Sequence, residues 1–270
     1  MQIAKKLFLF YIQASIHVAM ATAAFTWLSM LEFGLPADIY LILFVFLGTV
    51  VGYNFVKYAG IANLHHIEQT PAIRSIRFFT ILMMILLVLV AFRLSINQLL
   101  SAAFLGVLTL LYAVPLFRNR NLRSLQGMKV FVIALVWAGA TVILPLENQP
   151  QVPVLDMWIE AVQRFLFVVV LILPFEIRDL KYDEEELATI PQLLGVSKTK
   201  WLGVALLIMV VLLNFAETTF KPLQTIVLSV MACVTGTMLV ISRVYQPAFY
   251  ASFWVEGIPV LWLLLLLLLL

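Results

Sequence analysis

Six of the chain's 14 acidic residues lie between Glu176 and Glu186, at the end of an apolar run in the segment LPFEIRDLKYDEEELATIPQLLG. Glu176, Asp179 and Asp183 stand at i, i+3 and i+7. A helix turns about 100° per residue, so the three carboxylates share one face while Arg178 and Lys181 point away from it. Stacked like charges repel, and water or a hard cation relieves them. Oxygen ligands of this kind suit Mg²⁺. The same spacing also fits an ordinary solvated helix end.

Composition decides what kind of protein carries this face. The chain is 64% hydrophobic and 11% charged, against about a quarter charged in soluble domains. Long apolar runs recur from end to end, which predicts an all-α, polytopic membrane bundle. A single cysteine, Cys233, excludes an intrachain disulfide and a cysteine-based metal site. The basic residues form no stripe, so nucleic acid is not an expected partner.

Nine spans are predicted, over 8–32, 37–57, 76–94, 97–117, 128–146, 158–176, 201–217, 222–242 and 251–270. They read as one domain over 1–270, two four-helix halves followed by a ninth helix. The first apolar stretch runs past Trp27 and is too long for a signal-peptide core, so a retained helix is expected. Of the 17 basic residues, all but Arg93, Arg164 and Lys221 fall on one side of this layout. That asymmetry predicts a cytoplasmic N-terminus and an external C-terminus. It also puts the three longest loops, 58–75, 118–127 and 177–200, on the cytoplasmic side, next to the acidic face.

The second span ends in GYNFVKYAGIANLHH, with Asn54 and Lys57 where the helix reaches the cytoplasm. His65 and His66 lack a third nearby ligand and read as surface residues. Gln13 and His17 sit four apart on the first span and are expected to hydrogen-bond across helices, with contact to a bound acceptor as the alternative. Trp27, Trp137, Trp158, Trp201 and Trp254 fit an aromatic belt. Arg243 and Glu256 are expected to pair across the last cytoplasmic turn, and Asn214 to face a neighbouring helix. No charged residue is expected at mid-membrane, which argues against a transporter.

On three segments the chain resembles the UbiA-type prenyltransferase superfamily. EIRDLKYDEEELATIPQLLG is similar to that family's second aspartate-rich motif. It supplies Asp179 and Asp183, then Thr189, Leu194 and Gly195, with Glu176 just ahead. LYAVPLFRNRNLRSLQGMKVFVIALVWAG resembles the tyrosine-plus-basic segment, and GYNFVKYAGIA falls where the first motif, Asn-Asp-x-x-Asp-x-x-x-Asp, belongs. Two departures stand out. Aligned on Asn54, the first motif's aspartates are Phe55, Tyr58 and Ala62. Leu116 replaces an expected lysine, with Arg118 two residues further on.

The resemblance implies a helical bundle that binds an isoprenyl diphosphate through Mg²⁺ and transfers the prenyl group to a hydrophobic acceptor, aromatic or lipid. Carried over residue by residue, Glu176, Asp179 and Asp183 would hold metal, one ion rather than two. Asn54, Lys57, Arg118 and Arg120 would bind the diphosphate. Cationic side chains can replace part of a metal's charge. Lys57 and the arginines, Arg123 included, also fit simple positive-inside anchoring. A non-catalytic relative that binds a lipid or a partner protein is the second function class.

Overall fold

A computed structural model describes residues 2–62, 71–114, 127–182 and 188–270, with side chains from residue 3 onward except those of 59–62. The expected site residues Arg118, Arg120 and Asp183 lie outside the described residues, as do Arg123, His65, His66 and the alignment neighbour Leu116.

The described residues form helices and no strand. In chain order these are α1 (Gln2–Gln13), α2 (Ile16–Glu32), α3 (Ile39–Ala62), α4 (Pro71–Ala91), α5 (Ile96–Ala113), α6 (Met128–Ala138), α7 (Leu144–Leu146), α8 (Val154–Asp179), α9 (Ile190–Leu194), α10 (Val196–Leu213), α11 (Pro222–Ile241) and α12 (Ile258–Leu269). A π-helical turn, Gly139–Ile143, joins α6 to α7, and another, Tyr250–Val255, leads toward α12. Eight helical units among the described residues are long and apolar enough to cross a membrane, and the bent pair α1 and α2 makes a ninth if counted as one span. Local chemistry sets several boundaries. Ser95 and Gln98 form a capping box at the start of α5, and Pro222 opens α11, where its missing N–H costs nothing.

The structure corrects the first predicted span. Residues 8–32 are not one straight helix. The chain breaks at Ala14–Ser15, and α1 meets α2 at 56°. Ser15 adopts a left-handed backbone, φ 61°, which costs an L-residue about 1–2 kcal/mol. Side-chain bonds offset that cost. Ser15 Oγ donates to Asn54 Oδ1 at 2.8 Å, Asn54 Nδ2 donates to the Ala14 carbonyl at 3.1 Å, and Tyr58 donates to the Gln13 carbonyl at 3.2 Å.

Successive spans alternate in direction. One end of the bundle therefore gathers the break at Ser15, the C-terminal ends of α3 and α8, and the N-terminal ends of α6 and α12. This is the motif end of the bundle. The core joins α2, α6, α8, α10, α11 and α12. Phe25, Trp137, Phe167 and Trp262 meet edge to face at its centre, with ring centroids 5.0–6.2 Å apart. Trp137 thus belongs to the core rather than to an aromatic belt, and its indole N–H donates to the Tyr53 hydroxyl at 2.9 Å. Trp158, Trp201 and Trp254 are exposed, as a belt requires. α8 is central, 61% of its span buried, whereas α4 and α5 are 6% buried and present their sides outward. α10 comes so close to α8 and α11 that a Cβ on Gly203 would overlap the Leu239 side chain and lie 3.0 Å from Leu173.

Candidate functional site at the motif end

α8 carries the acidic face to the motif end. Glu176 is 1% exposed and its carboxylate lies 2.7 Å from Lys129 Nζ, on the first turn of α6. A carboxylate so deep requires a cation beside it, because burying an unpaired charge costs several kcal/mol. Asp179, one turn on, is gripped on both oxygens by Arg178, at 2.7 Å from Nε and 3.1 Å from the terminal nitrogen. Arg178 therefore does not point away from the acidic face, as helical spacing alone suggested. Its long side chain curls back to its neighbour at the helix end, where the backbone no longer fixes direction.

Asn54 is 2% exposed and is engaged on all sides. Besides Ser15 and Ala14 it donates to Thr80 Oγ1 on α4 at 2.9 Å. Its amide thus ties α3, α4 and the break between α1 and α2. Lys57 donates one N–H to Ser15 Oγ at 2.8 Å. An ammonium has three donors, so this bond leaves Lys57 capacity for a second partner. The two residues share a helix side, as their spacing predicted.

The break is also tied to the last span. Tyr11 donates to His17 Nδ1 at 2.7 Å, and His17 Nε2 donates to the Phe253 carbonyl at 2.9 Å. This tautomer follows from the two partners. His17 thus bonds across helices as expected. Gly257 follows in close contact, for a Cβ there would lie 2.8 Å from the Phe253 carbonyl and 3.4 Å from His17.

Glu256, between that turn and α12, does not pair with Arg243 as the sequence suggested. Its electrostatic partners are Lys57 on α3 and Arg178 on α8. The sequence singles out Glu256 but not these partners, because nothing in a linear chain shows that the ninth span closes against the first. Sequence reasoning also missed Lys129, which looked like one more residue of the positive-inside set.

Six charged groups thus converge at the motif end, with Glu176, Asp179 and Glu256 facing Lys129, Arg178 and Lys57. Among the described residues no three His, Cys, Asp or Glu side chains come together as a metal site. Glu176 and Asp179 by themselves do not fit a hard cation, since each already faces a basic group. The third expected ligand, Asp183, lies outside the described residues.

No protein-family model matches the sequence, and no curated protein matches it. Solved structures do. The chain is similar to the apo structure of a UbiA homolog from Aeropyrum pernix K1, with 14% identity, 93% of this chain and 98% of that one covered, and a TM-score of 0.62. It is also similar to a digeranylgeranylglyceryl phosphate synthase studied in membranes, with 14% identity, 98% and 96% covered, and a TM-score of 0.56. The likeness runs over nearly the whole of each chain and establishes the fold, a UbiA-type membrane bundle.

Proposed function

We propose that the protein is a UbiA-type prenyltransferase, holding an isoprenyl diphosphate at the motif end and transferring its prenyl group to a hydrophobic acceptor, aromatic or lipid. The observation that carries this reading is the convergence of Lys57, Arg178 and Lys129 with Glu176, Asp179 and Glu256 at one end of a bundle with this fold. The motif end faces the cytoplasm in this reading, because the basic residues gather there.

In the transfer, the bond from the prenyl C1 to the diphosphate oxygen breaks, and the electron pair leaves with the diphosphate. The acceptor then bonds C1 and gives up a proton. Charge developing on the leaving oxygens needs fixed donors. Lys57 keeps donors beyond its bond to Ser15, and Arg178 binds Asp179 through only two of its three nitrogens. Both can therefore add phosphate oxygens without giving up the bonds that position them. No step is assigned to Mg²⁺, because the described carboxylates do not make a site for it.

One observation favours a second reading, a non-catalytic protein that binds a lipid. Glu176, Asp179 and Glu256 already face cations of the chain itself, so these contacts hold together without a bound diphosphate. The test is binding and turnover with the full chain in nanodiscs, using labelled isoprenyl diphosphates and the matching prenyl alcohols, with and without Mg²⁺. Tighter binding of the diphosphate than of the alcohol, with diphosphate release on adding an aromatic acceptor, is the expected result. Equal affinity for alcohol and diphosphate without release would establish the second reading. Binding of neither would overturn both.

A further inference from the structure

A second polar cluster is buried at the opposite end, about 15 Å along α8 from Val154 if each residue rises about 1.5 Å. Its centre is Arg164, 1% exposed. The guanidinium lies 2.6 Å from Glu160 and 3.8 Å from Glu32. It donates to the Phe25 carbonyl and to Ser29 Oγ, each at 3.2 Å, and sits 4.0 Å over the Phe25 ring. On the link between α10 and α11, Lys221 lies 3.5 Å from Glu217. The expectation that no charged residue lies at mid-membrane is therefore corrected. Arg164, counted from the sequence as an external residue, is inside the bundle.

These groups line a cavity of about 20 Å³, together with Gln163, Asn214, Gln224 and Trp262. That is room for about one water molecule. Three buried atoms of its lining residues have no hydrogen-bond partner among the described residues: Glu32 Oε2, Gln163 Oε1 and Trp262 Nε1. Two are acceptors and one is a donor, the complement of a single water, which accepts one bond and donates two. A metal cation would repel the indole N–H.

The charges around the cavity do not cancel. The facing ionisable groups are Glu32 from α2, Asp156, Glu160 and Arg164 from α8, and Glu217 and Lys221 from the link. α10, α11 and α12 add only uncharged side chains to the lining. Asp156 is satisfied by the Thr218 N–H at 2.9 Å and hydroxyl at 2.6 Å, and pairs with no cation among the described residues. Two cations thus serve four carboxylates. A buried excess of negative charge is relieved most cheaply by a proton.

We propose that this cavity is a proton-binding site, in which one internal water and one exchangeable proton complete the network of Glu32, Glu160, Arg164 and Glu217. Burial, followed by the pull of Lys221 in the opposite direction and the nearby Glu160 and Asp156 charges, leaves the Glu217 carboxyl raised to about 7. The link that bears it is the outermost part of the cluster, and the Lys221 side chain is 19% exposed there, which gives the proton a way in.

The sign of the pH effect follows. Glu217 binds its proton more tightly in the folded chain than in the unfolded one. Its stabilising contribution is complete below about pH 4.5 and is lost as pH rises through about 7. Two readouts on the full chain in nanodiscs test the site. The difference in the infrared carbonyl stretch of protonated carboxylic acids between the wild type and Glu217→Gln should show one band that is present at pH 6 and fades with a midpoint near neutral pH. The unfolding temperature should fall further from pH 5 to pH 8 in the wild type than in Glu217→Gln. If Glu217→Gln does not fold, Glu217→Asp replaces it, and the component of the carbonyl band that titrates near neutral pH should move in frequency. No band titrating near neutral pH, identical pH profiles in both proteins, or a dependence on Na⁺ at fixed pH would each overturn the proposal.

Discussion

Lys129 on α6 and Glu176 on α8 are joined by an ion pair of 2.7 Å in which the carboxylate is 1% exposed. This contact locks two central helices together where the acidic face reaches the motif end. It also means that one expected metal ligand already has a strong partner.

Breaking that pair from one side should be costly. Lys129→Met removes the cation 2.7 Å from the buried Glu176 carboxylate, and a loss of up to about 3–5 kcal/mol is expected. The double variant Lys129→Met with Glu176→Leu should recover most of it. Thermal unfolding of the three proteins in one detergent measures this. Equal losses for the single and double variants would show that packing, not charge, holds the helices.

Asn54→Ala should destabilise through the break between α1 and α2. It removes bonds to Ser15, Ala14 and Thr80, and a loss of about 1–3 kcal/mol is expected for buried groups left unpaired. Proteolysis near Ser15 should speed up in parallel. An intact, protease-resistant variant would refute the role assigned to the amide.

Lys57→Gln separates the phosphate role from the anchoring role. A charge-assisted phosphate contact is worth about 1.5–3 kcal/mol, so affinity for an isoprenyl diphosphate should drop roughly ten- to a hundredfold. Affinity for the prenyl alcohol should not change. Unchanged diphosphate binding would leave Lys57 as a support of Ser15 only.

Gly203→Val should disrupt the contact of α10 with α8 and α11, since even a Cβ overlaps Leu239. Overpacking of this kind costs about 1–3 kcal/mol. Leu239→Ala in the same chain should restore part of the loss. A variant with wild-type unfolding would show that α10 can shift outward freely.

Orientation is open to direct labelling. In a Cys233→Ser background, single cysteines at Gln69, Asn121 and Glu186 should resist an impermeant external reagent in intact cells, while one at Thr219 should react. Labelling at any of the first three would reverse the assignment of the motif end to the cytoplasm.

The span pattern was legible because apolar runs of about 20 residues have few alternatives in a membrane. The break at Ser15 was not, because no proline or glycine marks it. It depends on Asn54 and Lys57, some 40 residues away, and only tertiary contact reveals it. Asn214 bonding Thr225 at 2.6 Å matched the expectation of a cross-helix contact. Glu176 and Asp179 were found from spacing, whereas their basic partners were not, since periodicity fixes where a carboxylate points and says nothing of what waits there. Arg164 was misplaced because its charge made a loop-side position seem natural. The carboxylates that make its burial tolerable come from α2 and from its own helix.

That burial has a consequence for how the chain enters the membrane. On its own, α8 presents Asp156, Glu160 and Arg164 to the bilayer, and an arginine at helix centre costs about 2.5–3.5 kcal/mol during insertion. The Phe25 carbonyl, Ser29 and Glu32 that receive Arg164 all belong to α2, which is synthesised well before α8. The first span is therefore already in the membrane to receive Arg164 when the sixth arrives, and a chain lacking α2 should release α8 to the aqueous side.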